Sequence, residues 1–282
     1  MTRPNPRALS LSALTVLELS PPRMVECAAQ AGYDYVGLRL VPATDNEVRH
    51  DIIGPTALKR ETLACLRDTG IGVLDVEILR LKPDTDVSAW LPMLDAAAGF
   101  GARYVLVAGN DPDEARCAER LAQLCELAEP RGLTPSLESM PWTDVKDVTQ
   151  GARIVKAAAR RNSGLIVDPI HFDRAGTQPQ TLRALPREYF GYVQFCDAPA
   201  ERPGDLDTLL YQARCERMIP GEGGLDLAGI LRALPDHLPL SLEVPMQQWA
   251  KTAPPLERAR RLREATLALL QRIYAATSNS QA

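Results

Sequence analysis

Four polar side chains stand at the ends of apolar runs in the second half of this 282-residue chain. Glu138 closes LTPSLE, Asp168 closes GLIVD, Gln194 sits in GYVQFC and Glu243 closes LPLSLE. A polar group buried without a partner costs several kcal/mol. Any one of the four, taken alone, reads equally well as a strand-end group that pairs locally or faces water. Three carboxylates and an amide oxygen at the same place in successive segments are all satisfied by one shared cation. Hard oxygen donors suit Mg2+ or Mn2+ rather than zinc, and they leave coordination positions open for substrate oxygens. His171, three residues after Asp168 in DPIH, faces the same end and reads as a contact to a substrate oxygen or to a metal-holding residue rather than as a ligand itself, with a surface-loop histidine as the alternative. Arg39 in VGLRL, Glu77 and Arg80 in VEILRL, Asn110 after YVLVAG and Arg202 after strand seven are further candidates for substrate binding. Arg39 and Glu77 could instead pair with each other as a structural bridge.

Those residues need a scaffold that brings strand ends together. Short apolar runs predicted as strands cover Ala8–Leu14, Tyr35–Leu40, Gly72–Ile78, Tyr104–Ala108, Thr134–Glu138, Gly164–Asp168, Gly191–Cys196 and Pro239–Val244. Segments of helical period separate them, without a composition break. Eight such repeats predict a single-domain α/β protein, a (β/α)8 TIM barrel, in which reacting groups project from the C-terminal ends of the strands. An open doubly wound sheet is the competing architecture. The barrel is expected over residues 1–275, with 276–282 as a disordered tail. Ser20-Pro21-Pro22 predicts a capped helix start, and Gly32, Gly70, Gly101 and Gly132 predict helix ends just before strands. The segment Pro255–Thr277 has helical spacing and would seal the barrel.

Lys and Arg number 32 against 36 Asp and Glu, a net charge of −4, so no basic field exists to collect nucleic acid. There is no signal-peptide pattern and no apolar run of membrane-spanning length. The six cysteines form no C-x-x-C pair and read as free thiols of a cytoplasmic protein. No lysine ends a strand, and the chain has neither G-x-S-x-G nor G-x-G-x-x-G after strand one. Schiff-base, nucleophile-elbow and dinucleotide chemistry are therefore disfavoured, which leaves metal-assisted acid–base chemistry. The glycines of IPGEGGLDLAGIL, from Ile219 to Leu231, favour a turn over a phosphate cradle, with Asp226 as the helix cap.

LES at strand five, VDPIH at strand six, QFCDAP at strand seven, PGEGGLDLAGIL and LSLEVP at strand eight resemble the xylose-isomerase-like (β/α)8 barrels, a superfamily of sugar and sugar-phosphate isomerases and epimerases. The resemblance implies one divalent metal held by Glu138, Asp168, Gln194 and Glu243. It also implies proton transfer through a metal-bound enediolate, with Glu138 and Glu243 as the acid–base pair. The expected function is isomerisation or epimerisation of a small hydroxy-carbonyl compound, namely a sugar, sugar phosphate or sugar acid. Gln194 with Asp197 and Pro199 is more similar to hydroxypyruvate isomerases and to 3-dehydroshikimate dehydratases, so a metal-dependent dehydratase is the alternative. Some dehydratases carry His and Lys where this chain has Met140 and Cys196. A non-catalytic ligand-binding barrel is a third reading. Three histidines and a negative net charge are unlike the DNA-repair endonucleases of the same superfamily. A homo-oligomer is the expected assembly.

Overall fold

A computed structural model describes residues 7–279. Eight parallel strands close into a barrel in sequence order: β1 Leu9–Leu11, β2 Tyr35–Arg39, β3 Gly72–Leu81, β4 Tyr104–Gly109, β5 Thr134–Glu138, β6 Gly164–Val167, β7 Phe190–Phe195 and β8 Leu240–Leu242. The closure removes the open-sheet alternative. Period-two alternation accounts for the layering. Val36, Leu38, Val105, Val107, Leu137, Leu165 and Val193 join the main core with the surrounding helices. A smaller cluster of Leu74, Ile78, Leu106, Ala108, Met140, Ile166 and Tyr192 is separate from it. Each fully buried Leu, Ile or Val in these clusters contributes about 1.5–3 kcal/mol.

The strand limits differ from the expected ones where polar groups intervene. β1 stops at Leu11 because the chain turns at Ser12 into a 3-10 segment, Ala13–Val16. β6 stops at Val167 because the Asp168 carboxylate caps a short helix, Pro169–Arg174, by accepting from Ile170 N. β3 runs on to Leu81, β7 begins at Phe190, and β8 is only three residues long. Gly32, Gly70 and Gly132 end their segments in the left-handed conformation; the third helix, Leu91–Gly99, ends two residues before Gly101, which is left-handed as well. Ser20 makes no capping hydrogen bond, and Pro21 opens that helix. The final helix runs Pro255–Asn279, and residues 280–282 of the expected tail lie outside the described residues.

The seam between β1 and β8 pairs Leu9, Ser10 and Leu11 with Leu240, Ser241 and Leu242. Thr15 reinforces it, donating to Leu242 O at 2.7 Å and accepting from Val244 N at 2.9 Å. Arg258 of the last helix donates to Thr15 O at 2.9 Å.

Candidate active site

At the C-terminal mouth of the barrel, strand register and the Asp168 cap bring the acids together. Glu138 is the last residue of β5, paired in register with Ile166 of β6. Asp168 follows two residues later in space, and the helix it caps carries His171 inward. His171 Nε2 lies 3.5 Å from Asp168 Oδ2 and 3.8 Å from Glu138 Oε1. Its ring meets Trp142 edge-on at 4.8 Å. Gln194 of β7 donates from Nε2 to Glu243 Oε1 at 2.9 Å. All five side chains are buried.

Arg217, which sequence reasoning missed, completes the group. Its guanidinium spans the acids, with Nη1 at 2.7 Å from Asp168 Oδ2 and Nη2 at 2.9 Å from Glu243 Oε2. Nε donates to Ala213 O and Nη1 to Glu243 O, which fixes the plane of the group. Arg217 sits in the connection after β7, where a backbone bridge between Asp197 and Met218 returns the chain over the mouth. No strand-end pattern marks such a residue. The available signal was charge, since three buried carboxylates exceed what one divalent ion neutralises.

The electrostatics follow from burial in this arrangement. Burial, then the neighbouring Asp168 and Glu243, push the Glu138 carboxyl well above its ordinary value. Burial likewise raises Glu243 to about 7, even though Arg217 opposes the shift. Asp168 is also buried, but Arg217 and His171 hold it below the usual carboxylate range. Burial, helped by Arg217 and Arg214, lowers His171 to about 4 against the pull of Asp168, so its imidazole is neutral at pH 7.

The remaining candidates divide. Arg39 does pair with Glu77, at 2.6 Å, and also with Glu47, at 3.0 Å; both Arg39 and Glu77 line the mouth chamber. The Ser12 hydroxyl links this pair to the acids, 3.4 Å from Glu77 Oε1 and 3.2 Å from Glu243 Oε1. Asn110 accepts from Arg80 Nη1 at 3.4 Å. Arg202 does not join the site: it pairs with Asp173 through contacts of 3.1 and 3.2 Å, on an exposed surface. The glycine loop is a turn built around an internal anion. Asp197 accepts from the backbone N–H groups of Ala198, Gly221, Gly223 and Leu225 at 2.9–3.1 Å. A Cβ on Gly223 would lie 2.4 Å from Asp197 Oδ1, so only glycine permits that approach. Asp226 caps the following helix as expected.

A chamber of about 60 Å3 opens between Glu138, Glu243, Arg217, His171, Trp142 and Arg80. Beside it, an outer cleft of about 390 Å3 shares Leu14 and Arg214 with the chamber. The donor set fits a hard divalent cation. Glu138 Oε1 and Gln194 Oε1 are buried acceptors with no hydrogen-bond partner among the described residues. Glu138, Asp168 and His171 offer donor atoms within 4.8 Å of one another. Three carboxylates against the Arg217 guanidinium leave two negative charges, the amount a divalent ion balances.

The fold is a (β/α)8 barrel with a buried acid cluster at its C-terminal mouth, and the sequence comparison gives its family. Residues 25–269 match the family described as xylose isomerase-like TIM barrel, and the chain belongs to that family. The chain is 31% identical over 244 residues to 3-dehydroshikimate dehydratase of Pseudomonas aeruginosa, covering 79% of this chain and 36% of that protein. It thus spans about a third of the length of the dehydratases it matches. It is 25% identical over 248 residues to inosose isomerase of Bacillus velezensis, covering 80% and 83% of the two chains. Among solved structures it is similar to a xylose isomerase-like TIM barrel/4-hydroxyphenylpyruvate dioxygenase fusion protein, with a TM-score of 0.79 and 23% identity over 97% of this chain and 44% of that one. It also resembles the IOLI protein with a bound zinc atom, with a TM-score of 0.76 and 22% identity over 94% and 99%. Its named relatives are enzymes, and no described helix is long and apolar enough to cross a membrane.

Proposed function

We propose that this chain is a divalent-metal-dependent enzyme that moves a proton at the carbon beside a carbonyl, isomerising or epimerising a small hydroxy-carbonyl compound. The observation that carries the reading is the buried acid cluster, in which Glu138 Oε1 and Gln194 Oε1 have no hydrogen-bond partner among the described residues while Arg217 braces Asp168 and Glu243. Glu138, Asp168, Gln194 and Glu243 would hold the ion, with His171 close enough to Glu138 and Asp168 to serve in a smaller set. Mn2+ and Mg2+ suit these oxygen donors, and the zinc of the IOLI structure keeps a third ion under test. When bound, such an ion polarises a carbonyl and stabilises negative charge on its oxygen.

The chain's own residues do the rest. Glu243, raised to about 7, accepts or returns a proton near neutrality. Glu138, whose affinity for a proton is likewise raised, serves as the second acid–base group. Neutral His171 offers Nδ1, which has no protein partner, to a substrate hydroxyl. Ile78, Leu106, Met140 and Trp142 line the chamber and limit water access to the reacting carbon.

Dehydration is the second reading, supported by the 31% identity to a 3-dehydroshikimate dehydratase. It shares the first proton abstraction but then expels a β-hydroxyl, which needs an acid. Cys196, at a position where some dehydratases have lysine, is buried against Asp168 and Arg217 and does not line the chamber. Either reaction would therefore draw its acid from Glu138 or Glu243. The test is metal analysis of the purified protein combined with NMR of solvent deuterium entering candidate substrates. One ion per chain, lost in Glu243→Ala, and exchange reduced about a hundredfold or more in Glu138→Gln and Glu243→Gln are expected. Full turnover in either glutamine variant would refute the acid–base assignment. A product lighter by one water would select the dehydratase.

A further inference from the structure

Among the described residues four guanidinium groups line the mouth chamber, and two of them are paired with protein carboxylates. Arg39 is held by Glu77 and Glu47, and Arg217 by Asp168 and Glu243. Arg80 reaches only the neutral oxygens of Asn110 and Ala43, each at a long 3.4 Å. Arg214 stands 5.5 Å over the Trp142 ring, where the chamber meets the outer cleft. Among the described residues neither Arg80 nor Arg214 has a carboxylate within ion-pair distance. Arg80 is half-buried, and burial together with the nearby Arg214 and Arg39 disfavours its charged form, against the weaker pull of Glu138 and Glu47, neither of which pairs with it. Like charges that line one chamber repel each other, and a small anion bound to both removes the repulsion and supplies the missing acceptors.

We infer that Arg80 and Arg214 form an anion seat at the rim of the site, so that its substrate is an acid: a hydroxy-carbonyl compound carrying a carboxylate or a phosphate. This rests on the proton-transfer reading above and narrows its substrate class. The guanidinium fork matches both oxyanions, and Trp142 keeps the Arg214 plane in place. An anion entering a mouth rich in carboxylates is repelled unless cations meet it first. Arg80 and Arg214 occupy that position, while Arg39 and Arg217 are already committed to protein acids. Sugar recognition alone would need neutral hydrogen-bonding groups here and no paired cations.

The test uses three compounds that share one HOCH2–C=O unit and differ only in the third carbon: dihydroxyacetone, dihydroxyacetone phosphate and hydroxypyruvate. Calorimetric titration into Mn2+-loaded wild type, Arg80→Gln and Arg214→Gln measures binding without requiring turnover. At least one anion is expected to bind about ten- to a hundredfold more tightly than dihydroxyacetone, since charged hydrogen bonds are at stake. Each variant should lose about tenfold for that anion and leave dihydroxyacetone unchanged. Which anion wins distinguishes carboxylate from phosphate. Equal binding of all three, binding of none, or variants that weaken all three alike would overturn the seat. Arg214 is exposed, so its variant tests the seat without risk to folding. Arginine-dependent binding with no deuterium exchange would keep the seat and remove the proposed reaction; exchange with no preference for anions would do the reverse.

Discussion

Replacing Asp197 with asparagine isolates the contribution of the internal anion that shapes the loop after β7. Asp197 is buried, and each of its oxygens accepts two backbone N–H groups: Ala198 and Leu225 on Oδ1, Gly221 and Gly223 on Oδ2. Asparagine keeps the volume but turns one oxygen into an NH2 group, so two of the four N–H groups then face a donor. Leaving a buried donor unpaired costs about 1–3 kcal/mol, so Asp197→Asn should destabilise the protein by about 2–6 kcal/mol. For a domain of this size that is a fall in Tm of roughly 5–20 °C. Urea unfolding followed by circular dichroism, in chelator so that metal binding does not contribute, measures the loss. The backbone bridge from Asp197 to Met218 also positions Arg217, so Mn2+ affinity should fall with stability. A variant within about 1 kcal/mol of wild type would refute the claim that this carboxylate organises the loop.

Three further outcomes are expected. Without metal, Asp75, Glu138 and Glu243 all hold protons more tightly folded than unfolded. Their contribution is complete below their unfolded values and is lost as pH rises. Glu243 alone would lose about 3 kcal/mol between 4.5 and about 7, against the opposing effect of the two histidines that burial pushes down, His171 and, more weakly buried, His50. Calorimetry in chelator should therefore show Tm falling across that window, and added Mn2+ should reverse the trend; a rising Tm in chelator would contradict it. Arg217→Gln leaves Asp168 and Glu243 buried without their counter-charge, a loss of about 3–5 kcal/mol in chelator that Mn2+ should partly restore. In Gly109→Ala the new Cβ would lie 2.1 Å from Val145 Cγ2, and the overpacking should cost about 1–3 kcal/mol in urea unfolding.

The parts of this molecule that were legible in the sequence share one physical cause. A strand buried on both faces must be apolar, so a polar residue at its end stands out. Glu138, Asp168, Gln194 and Glu243 were visible for that reason, and the limits of β5 were read without error. β1 and β8 were read too long, because apolar composition continues where Ser12 and Glu243 leave the ladder. Arg217 was hidden because its place depends on a loop folding back through Asp197, a long-range event with no local period. Arg202 resembled a site residue only because nothing local announces that Asp173 stands ready to take it. Arg214 gave no signal for the same reason as Arg217: only tertiary packing sets it over Trp142.

The seam between β1 and β8 determines when the site comes into being. Thr15 meets Leu242 and Val244, Ser12 meets Glu243, and Arg258 meets Thr15 across more than 220 intervening residues. During synthesis, the first seven strands leave the ribosome before the residue that completes the acid ring exists. Glu77 and Glu138 therefore stay hydrated on a half-built sheet, and the penalty for drying them falls on one late closing event. Folding of this chain should carry a slow final phase set by that event, as distant pairings generally do. A nascent chain stalled before Glu243 would have most of its helices and no working pocket.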